Sequence, residues 1–556
     1  MDQGPLAVTD PVHPDLGPNT YVFDPTMPAE RIQAVLDEVF ARQETAQFGP
    51  GRAALLFKPG RYAVDANIGF FTSIAGLGLS PDDTLIEGHV RVEADWFDGN
   101  ATHNFWRGAE NLAVDPSGGW DRWAVSQAAP YRRMHLRGGV RLWDGKDGWA
   151  SGGFFADTVV DGPVLSGTQQ QWLSRNCEFG QWTGANWNMV FVGVAGAPAP
   201  SFPDPPHTVV ERTPLVREKP FLHVDADGAF AVFVPDVRTD STGASWTDGP
   251  TPGRSLPLTQ FFVITPGTTA ATIGVALAQG RDLLFTPGVY DVDTTIEVTR
   301  PGTVVLGIGL PTLVPVGGIV ALRLADADGI IVAGLMFDAA PEQSPLLMEV
   351  GPPGSGRGHA ADPISLHDVF FRVGGTGPGR AETCLAINSS DVICDHTWIW
   401  RADHGEGCGW DVNTAATGLV VDGADVTCYG LFVEHFQRTE VLWRGERGRT
   451  YFFQNEKPYD PPNQESWLDG DVRGFPAYRV ADDVTEHEAW GLGSYCFFQA
   501  DPSVVNERSF QVPEAPGVQL RNLVIVSLGG VGTIANAVND RGGPADKTTW
   551  VRHLPA

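Results

Sequence analysis

Two glutamates at the ends of successive apolar runs are the residues of this sequence best placed to do chemistry. Glu434 follows Leu431-Phe432-Val433, and Glu456 ends a second apolar run 22 residues later. If both runs are strands in successive turns of a parallel coil, their backbones lie about 4.8 Å apart. Two ionised carboxylates on neighbouring strands repel each other, which raises the proton affinity of one of them. The spacing therefore predicts a general acid beside a general base.

Two further polar clusters are candidates for the same site. In a strand, Gln169 and Gln171 of SGTQQQW would share one face, where their amides could orient a water or bind sugar hydroxyls. Asp403 and His404 of RADHGEG could also line a site. Each candidate has a structural alternative, namely a solvated loop residue, a surface strand residue or a polar ladder without a ligand. The one-turn spacing of the two glutamates favours a functional interpretation.

The elements that must position these residues are indicated by an internal duplication. Residues 55–65 read LLFKPGRYAVD, and residues 283–293 read LLFTPGVYDVD, at an offset of 228. Each copy follows a helix-like segment, at 29–42 and 271–280. Short strands separated by Gly, Asp and Asn continue through each half at irregular spacing, which is typical of a parallel β-helix with loops of variable length. A leading helix would cap the open end of each coil.

Composition agrees with an all-β fold of two tandem right-handed parallel β-helices. The chain has 66 glycines and 43 prolines among 556 residues, and only 19% of its residues are charged. Residues 196–220 contain seven prolines, which indicates an extended connector. We therefore predict a first β-helix in 1–195, a linker and bridging segment in 196–258, and a second β-helix in 259–556. A pair of β-sandwiches is the competing fold, but hairpin signals are scarce.

Charge and hydropathy exclude some classes of binding partner. The net charge of −29 argues against nucleic acid and against an anionic membrane surface. No apolar run approaches the roughly 20 residues that span a bilayer. Met1-Asp2-Gln3 leads directly into polar sequence without a signal peptide, as in a trimmed secreted protein or a cytosolic one.

Metal and cofactor motifs are missing from the sequence. The six cysteines have no metal-like spacing; Cys384 and Cys394 could bridge a short loop, and buried free thiols are an equally good interpretation. The P-loop, HExxH and GxSxG patterns do not occur. The clustered aspartates that a calcium-dependent lyase needs are also missing. We expect neither a metal nor a cofactor.

Several segments together resemble glycoside hydrolase family 55, whose members are β-1,3-glucanases (laminarinases) and mostly exo-acting. They are the tandem LLFxPGxY openings, QQQW, GLFVEHFQ and GRTYFFQNEKPYDPPNQ. The resemblance implies two right-handed β-helices side by side, with the active cleft between them, and hydrolysis with inversion. It implies that Glu456 is the general acid and that Glu434 activates or positions the attacking water together with Gln169 and Gln171.

The sequence thus predicts a secreted, monomeric, inverting glycoside hydrolase that acts on β-1,3-glucan from a chain end and releases glucose. The family also predicts a tyrosine and a serine shortly after the glutamine motif. No tyrosine occurs between Tyr131 and Tyr290, and GANWNMVFVGV (184–194) has no serine. Two alternatives therefore stay open: a β-helix enzyme that acts on a different glycan linkage, and a non-catalytic glycan-binding protein.

Overall fold

The protein is built from two parallel β-helices, which confirms the predicted fold class. The computed structural model describes residues 6–555, so Met1–Gln3 lie outside the described range. We call the parallel β-helix formed by residues 20–210 the first coil and the one formed by residues 261–554 the second coil. The segment between them, 213–257, is called the bridge. No helix within 6–555 is both long and apolar enough to cross a membrane.

The first coil has two main parallel sheets. The sheet that faces the second coil consists of Thr20–Phe23, Ala53–Phe57, Thr72–Gly76, Arg107–Glu110, Pro130–Arg132, Phe154–Ala156, Gln171–Arg175, Asn188–Val192 and His207–Val210. The other sheet consists of Gly60–Tyr62, Thr84–Glu87, Ala113–Asp115, Trp120–Arg122, His135–Leu136, Gly139–Arg141, Val159–Leu165 and Glu178–Thr183. A smaller pair is formed by Asp65–Asn67 and His89–Arg91. The last strand of the facing sheet, His207–Val210, lies within the segment predicted as linker; as an edge strand with one neighbour it is compatible with the prolines before it.

The second coil repeats this plan with longer strands. Its larger sheet consists of Phe261–Ile264, Asp282–Phe285, Val289–Val292, Val304–Gly307, Thr312–Pro315, Ile331–Ala333, Met336–Asp338, Ile364–Val373, Val392–Arg401, Thr427–Glu434, Gly448–Glu456, Glu486–Cys496, Gly517–Ser527 and the antiparallel Val551–Leu554. Its eight-stranded sheet consists of Ile296–Val298, Leu322–Leu324, Ser344–Val350, Ala381–Ile387, Ala415–Val421, Val441–Trp443, Tyr478–Val480 and Phe510–Gln511. Two small pairs are Leu468–Asp469 with Val472–Arg473, and Val505–Asn506 with Thr533–Ile534.

The bridge is made of antiparallel strands. Thr213–Arg217 pairs with Val237–Ser241, and Phe230–Pro235 pairs with both Phe221–Val224 and Gly253–Pro257.

Both coils begin with the duplicated unit that the sequence predicts. The helix Ala29–Gln43 packs Ile32, Leu36 and Val39 into the first core, and the helix Ala270–Ala278 packs Ile273 and Ala276 into the second. Because each helix lies at the start of its coil, it covers apolar side chains that no further turn would cover.

The strand–turn–strand unit after each helix is held by the same tyrosine contact. The hydroxyl of Tyr62 donates to the backbone oxygens of Lys58 at 2.8 Å and Phe23 at 3.2 Å. The hydroxyl of Tyr290 donates to those of Thr286 at 2.8 Å and Ile264 at 3.1 Å.

A buried ionic network joins the two coils. Arg132 of the first coil donates to Asp368 at 2.8 Å and to Asp395 at 2.7 Å, both in the second coil. Arg175 reaches Asp395 at 2.9 Å and Glu218 of the bridge at 2.7 Å. Because each charge has an opposite partner, the network can be buried without an unpaired ion. The coils are therefore fixed in one relative position, which a site shared between them requires.

Aromatic side chains also pack at this interface. Trp106 of the first coil lies 4.4 Å from Trp398 of the second, measured between ring centroids, and Phe154 stacks on His396 at 4.5 Å. All four side chains are buried.

The six cysteines are free thiols, and five of them are buried. Cys384 and Cys394 lie on consecutive strands that belong to different sheets of the second coil, and they do not form the disulfide that the sequence left open. The alternative interpretation, buried free thiols in strands, is confirmed for this pair.

Candidate active site

Glu434 and Glu456 lie at the ends of adjacent parallel strands, as their spacing predicts. The strands Thr427–Glu434 and Gly448–Glu456 pair with a constant offset of 22 residues, for example Phe432 with Gln454. The backbone N–H of His435 donates to the carbonyl of Glu456 at 2.7 Å, which continues the ladder past Glu434. The two carboxyl groups therefore leave neighbouring turns at the same edge of the sheet.

Glu434 is buried and is held from both coils. Gln127 of the first coil donates its side-chain amide to Oε1 at 2.8 Å, and the Trp398 indole N–H donates to Oε2 at 2.8 Å. Burial raises the pKa of Glu434 well above its usual range, and the charge of Glu456 raises it further. The Trp398 hydrogen bond opposes this shift. Two N–H donors on two carboxylate oxygens are suited to the ionised form.

Glu456 is the more open of the two. Its side chain is 17% exposed. The Tyr459 hydroxyl donates to Oε2, and Nε2 of His435 lies 3.8 Å from the same oxygen. Burial raises the pKa of Glu456, while His435 and the Tyr459 hydrogen bond act in the opposite direction. A carboxyl group with a raised pKa and partial access is suited to give a proton to a ligand.

Asp403 and His404, which were predicted to line the site, extend this cluster. Nδ1 of His404 lies 3.0 Å from Oδ1 of Asp403, and Nε2 of His435 lies 3.7 Å from the same oxygen. Burial alone would raise the pKa of Asp403, but His435 and His404 lower it well below its usual range. His435 thus lies between the carboxylates of Asp403 and Glu456.

The two glutamines that were predicted to face the same way have different surroundings. Gln169 precedes its strand; its amide accepts from the N–H of Gly152 at 2.7 Å and donates to the carbonyls of Val125 at 3.0 Å and Leu142 at 3.2 Å. It therefore supports three backbone segments. Gln171 begins the strand Gln171–Arg175, and its side-chain amide forms hydrogen bonds with two other side chains.

Gln171 belongs to a polar cluster that includes the second coil. Its amide oxygen accepts from the hydroxyl of Tyr495 at 3.2 Å, and its amide N–H donates to Oγ of Ser151 at 3.2 Å. Tyr495 is paired in register with Glu456. Burial raises the pKa of Tyr495 well above its usual range, and the charges of Glu456 and Glu434 raise it further. The cluster is thus close to both carboxyl groups.

No tyrosine follows shortly after the glutamine motif and residues 184–194 contain no serine, but a tyrosine and a serine from other turns contact Gln171. Tyr495 comes from the far end of the second coil, and Ser151 precedes the motif. Sequence reasoning missed both, as well as Gln127. It also gave no role to Tyr459, although Tyr459 lies in the quoted segment three residues after Glu456, which was a usable signal.

The arrangement can protonate one side of a ligand and orient a water on the other. It combines two carboxyl groups with different exposure, a histidine between carboxylates, and an amide–hydroxyl cluster. Within residues 6–555, no group of three or more His, Cys, Asp or Glu side chains could hold a metal ion.

Known proteins are similar to this chain along nearly its whole length. Residues 261–456 match the LAM55 pectate lyase-like domain. An exo-beta-1,3-glucanase of Streptomyces sp. (strain SirexAA-E / ActE) is 55% identical over 538 residues, which are 97% of this chain and 88% of that protein.

The solved structure of sacteLam55A from Streptomyces sp. SirexAA-E superposes with a TM-score of 0.97 at 54% identity, covering 99% of this chain and 100% of that one. A glutamate-to-alanine variant of sacteLam55A, solved in complex with glucose, superposes with a TM-score of 0.96 at 54% identity over the same shares of the two chains. Identity of this extent over most of both chains shows that this chain belongs to glycoside hydrolase family 55, the β-1,3-glucanase family that its motifs resemble.

Proposed function

We propose that this protein hydrolyses β-1,3-glucan from a chain end and releases glucose. The observation that carries the proposal is the pair Glu434 and Glu456, placed on adjacent strands where the first coil contacts the second. The relative that is 55% identical is named an exo-beta-1,3-glucanase, which supports the linkage and the exo mode of cleavage.

Glu456 serves as the general acid. It is the more exposed carboxyl group, and burial raises its pKa so that it holds a proton closer to neutral pH. It protonates the glycosidic oxygen as the bond to the leaving sugar breaks. Tyr459 and His435 fix one carboxyl oxygen, which leaves the other free to face the substrate.

Glu434 is assigned to the water side of the reaction, because N–H donors on both of its oxygens favour the ionised form and oppose the burial that raises its pKa. Its two oxygens accept from Gln127 and Trp398, so its position is fixed and its charge is compensated by N–H dipoles. Gln171, with Ser151 and Tyr495, supplies donors and acceptors that can hold an attacking water nearby. Attack by water on the face opposite the leaving group inverts the anomeric carbon.

Asp403 and His435 position the acid. The carboxylate of Asp403, whose pKa is lowered by His435 and His404, places a negative charge on one side of His435, and Glu456 lies on its other side. His435 and the Tyr459 hydrogen bond both lower the pKa of Glu456, so they favour the carboxylate that remains when Glu456 has given up its proton.

Hydrolysis of laminarin followed by proton NMR tests this function. We expect glucose as the first product, with its first-formed anomer in the α configuration because the β-linkage is inverted. β-Glucose as the initial product would contradict inversion. Longer oligosaccharides appearing before glucose would contradict the exo mode. Absence of reducing sugar from laminarin, with activity on another glycan of a panel, would contradict the linkage.

We also propose that the enzyme is secreted and works as a monomer. A polymeric substrate does not cross a membrane, so the enzyme has to meet it outside the cell. One chain supplies both coils that form the site, so a second copy is not needed to complete it. Activity found only in washed cells, or a dimer by light scattering, would contradict these two statements respectively.

A further inference from the structure

A groove separate from the active site lies on the outer face of the eight-stranded sheet of the second coil. It encloses about 600 Å³, which is within the range of ligand-binding clefts. The strands Ala415–Val421, Val441–Trp443 and Tyr478–Val480 form its floor, the loop that carries Trp410 forms one wall, and the hairpin 468–473 forms the other. None of the residues that hold Glu434 or Glu456 lines this groove.

The floor presents side chains outward in a regular row. In the strand Val441–Trp443 the first and last residues are buried and Leu442 between them is partly exposed, so Leu442 points away from the core. Arg479 is paired in register with Leu442 on the neighbouring strand and has the same burial pattern. Thr417, on the strand at the other side, also lines the groove.

The lining combines aromatic faces with fixed hydrogen-bonding groups. Trp410 and Phe475 are the aromatic residues, and both are partly exposed. Gln437 is held by two contacts, because its amide donates to the carbonyl of Trp410 at 2.7 Å and accepts from the N–H of Ala415 at 3.1 Å. Its position is therefore set before any ligand arrives.

The charged groups of the groove are available to a ligand. Arg479 lies 3.9 Å from Asp469, too far for a hydrogen bond, so both keep donors and acceptors free. Arg438 is exposed and forms no salt bridge within residues 6–555. Both signs of charge beside aromatic faces suit a neutral ligand with an apolar ring face and hydroxyl edges, which describes a sugar chain.

The groove and the active site share one structural element. The loop 402–414 carries Asp403 and His404 on the active-site side and Trp410 on the groove side. Arg401, at the start of this loop, donates to the carboxylate of Asp460 at 2.8 Å and so ties the loop to the segment after Glu456. A polysaccharide bound in the groove is thereby held beside the cleft.

We propose that this groove binds a segment of β-1,3-glucan outside the catalytic site and keeps the polymer at the enzyme between cleavage events. The identity of the glycan rests on the proposed function, and the existence of a second binding site does not. Such a site acts through effective concentration, so it affects polymers and leaves the shortest substrates unaffected.

The test compares a polymer with a disaccharide in two groove variants. Trp410→Ala removes the aromatic face, and Arg438→Ala removes a donor that has no salt bridge within residues 6–555. Arg254→Ala, at an arginine of the bridge that is also exposed, is the matched control. We expect each groove variant to weaken binding to insoluble β-1,3-glucan about three- to tenfold. KM for laminarin should rise in parallel, and kcat/KM for laminaribiose should stay unchanged.

Each outcome of this test decides the proposal. Unchanged binding to insoluble β-1,3-glucan in both groove variants overturns it, as does equal weakening in Arg254→Ala. If Trp410→Ala also lowers activity on laminaribiose, the substitution has disturbed the loop that carries Asp403. The test then depends on Arg438→Ala, and unchanged polymer binding in that variant overturns the proposal. Groove-dependent binding of β-1,4-glucan without binding of β-1,3-glucan also overturns it. Groove-dependent binding of β-1,3-glucan without hydrolysis contradicts only the proposed function.

Discussion

The two coils open with the same unit and then contribute different chemistry to the cleft. In both, a capping helix precedes a strand–turn–strand whose tyrosine hydroxyl donates to two backbone carbonyls. Further along, the second coil brings two carboxyl groups to adjacent strand ends, whereas the first coil brings amides and a hydroxyl, from Gln127, Gln171 and Ser151. The duplication therefore supplied a pair of scaffolds, and the active site arose from their divergence.

This difference places both carboxyl groups in one coil and part of the set of groups that orient them in the other. The charged pair lies on one rigid sheet, whose adjacent strands hold a fixed spacing near 4.8 Å. The contacts of Gln127, Gln171 and Ser151 come from the first coil, so they depend on how the coils are docked. Substitution of Glu456 should therefore act on proton donation, and substitution of Gln127, Gln171 or Ser151 should act on the orientation of the water.

The largest effect is expected from Glu456→Gln. The amide keeps the shape and hydrogen bonding of the side chain but has no acidic proton, so kcat on laminarin should fall about 10²- to 10⁴-fold. Aryl β-glucosides with good leaving groups should lose less, because their departure needs less protonation. Glu434→Gln should lower the activity on laminarin and on the aryl glucosides equally, since both reactions need the attack of water. Kinetics on both substrates measure this.

The control for both variants is Glu342→Gln, an exposed glutamate of the second coil, which should be fully active. Equal losses on laminarin and aryl glycoside in Glu456→Gln would contradict its role as the acid.

The sequence predicted the scaffold and the carboxyl pair because both are local or periodic signals. The LLFxPGxY unit recurs in one piece, and 22 residues equal one turn of the second coil, as the register of Phe432 with Gln454 shows. Gln127, Ser151 and Tyr495 could not be predicted to meet, because loops of unequal length separate the turns and the docking of the coils is not encoded in any spacing. Gln169 was expected beside Gln171 on one strand face, but the strand begins only at Gln171.

The docking of the coils is tested by Arg132→Met. The side chain of Arg132 is 3% exposed and pairs with Asp368 and Asp395, so its removal leaves buried carboxylates short of a partner. We expect a loss of about 3–5 kcal/mol in the free energy of unfolding, measured by chemical denaturation. Arg212→Met, which breaks an exposed pair with Asp240, should cost about 0–1 kcal/mol. Equal losses would show that the ionic network does not hold the coils together.

The same network predicts how stability depends on pH. Burial opposes ionisation of Asp368, but Arg132 and Lys219 lower its pKa well below the usual range. Its contribution is therefore fully present above the unfolded pKa of about 3.9 and is lost only as the pH falls through the lower folded pKa. In Arg132→Met the folded pKa should rise, so unfolding on acid titration should begin at higher pH than in the wild type. Identical acid titrations, followed by tryptophan fluorescence, would contradict this assignment.

Within the first coil, Gln171→Ala and Gln169→Ala should separate activity from stability. Both side chains are buried and hydrogen-bonded, so each truncation should cost about 1–3 kcal/mol of unfolding free energy. Only Gln171 contacts Ser151 and Tyr495 beside the carboxyl groups, so only Gln171→Ala should also lower kcat, by about 10²-fold. Kinetics well below the unfolding temperature measure this. Similar kcat losses in the two variants would mean that both amides face the attacking water.

The smallest effect on stability is expected from the two tyrosines of the duplicated units, and it tests whether these units at the start of the two coils are still equivalent. Tyr62→Phe and Tyr290→Phe each keep the ring and remove a hydroxyl that donates to a carbonyl at 2.8 Å four residues earlier. Each should cost about 0.5–1.5 kcal/mol of unfolding free energy, with kcat unchanged, because neither residue is near the cleft. The two hydroxyls share no partner, so the double variant should equal the sum of the singles to within about 0.5 kcal/mol. A markedly larger loss of unfolding free energy for one tyrosine would show that its coil depends more on the duplicated unit at its start than the other coil does. A non-additive double variant would show that the openings stabilise each other across the interface, and the two coils could then not be treated as independent copies of one unit.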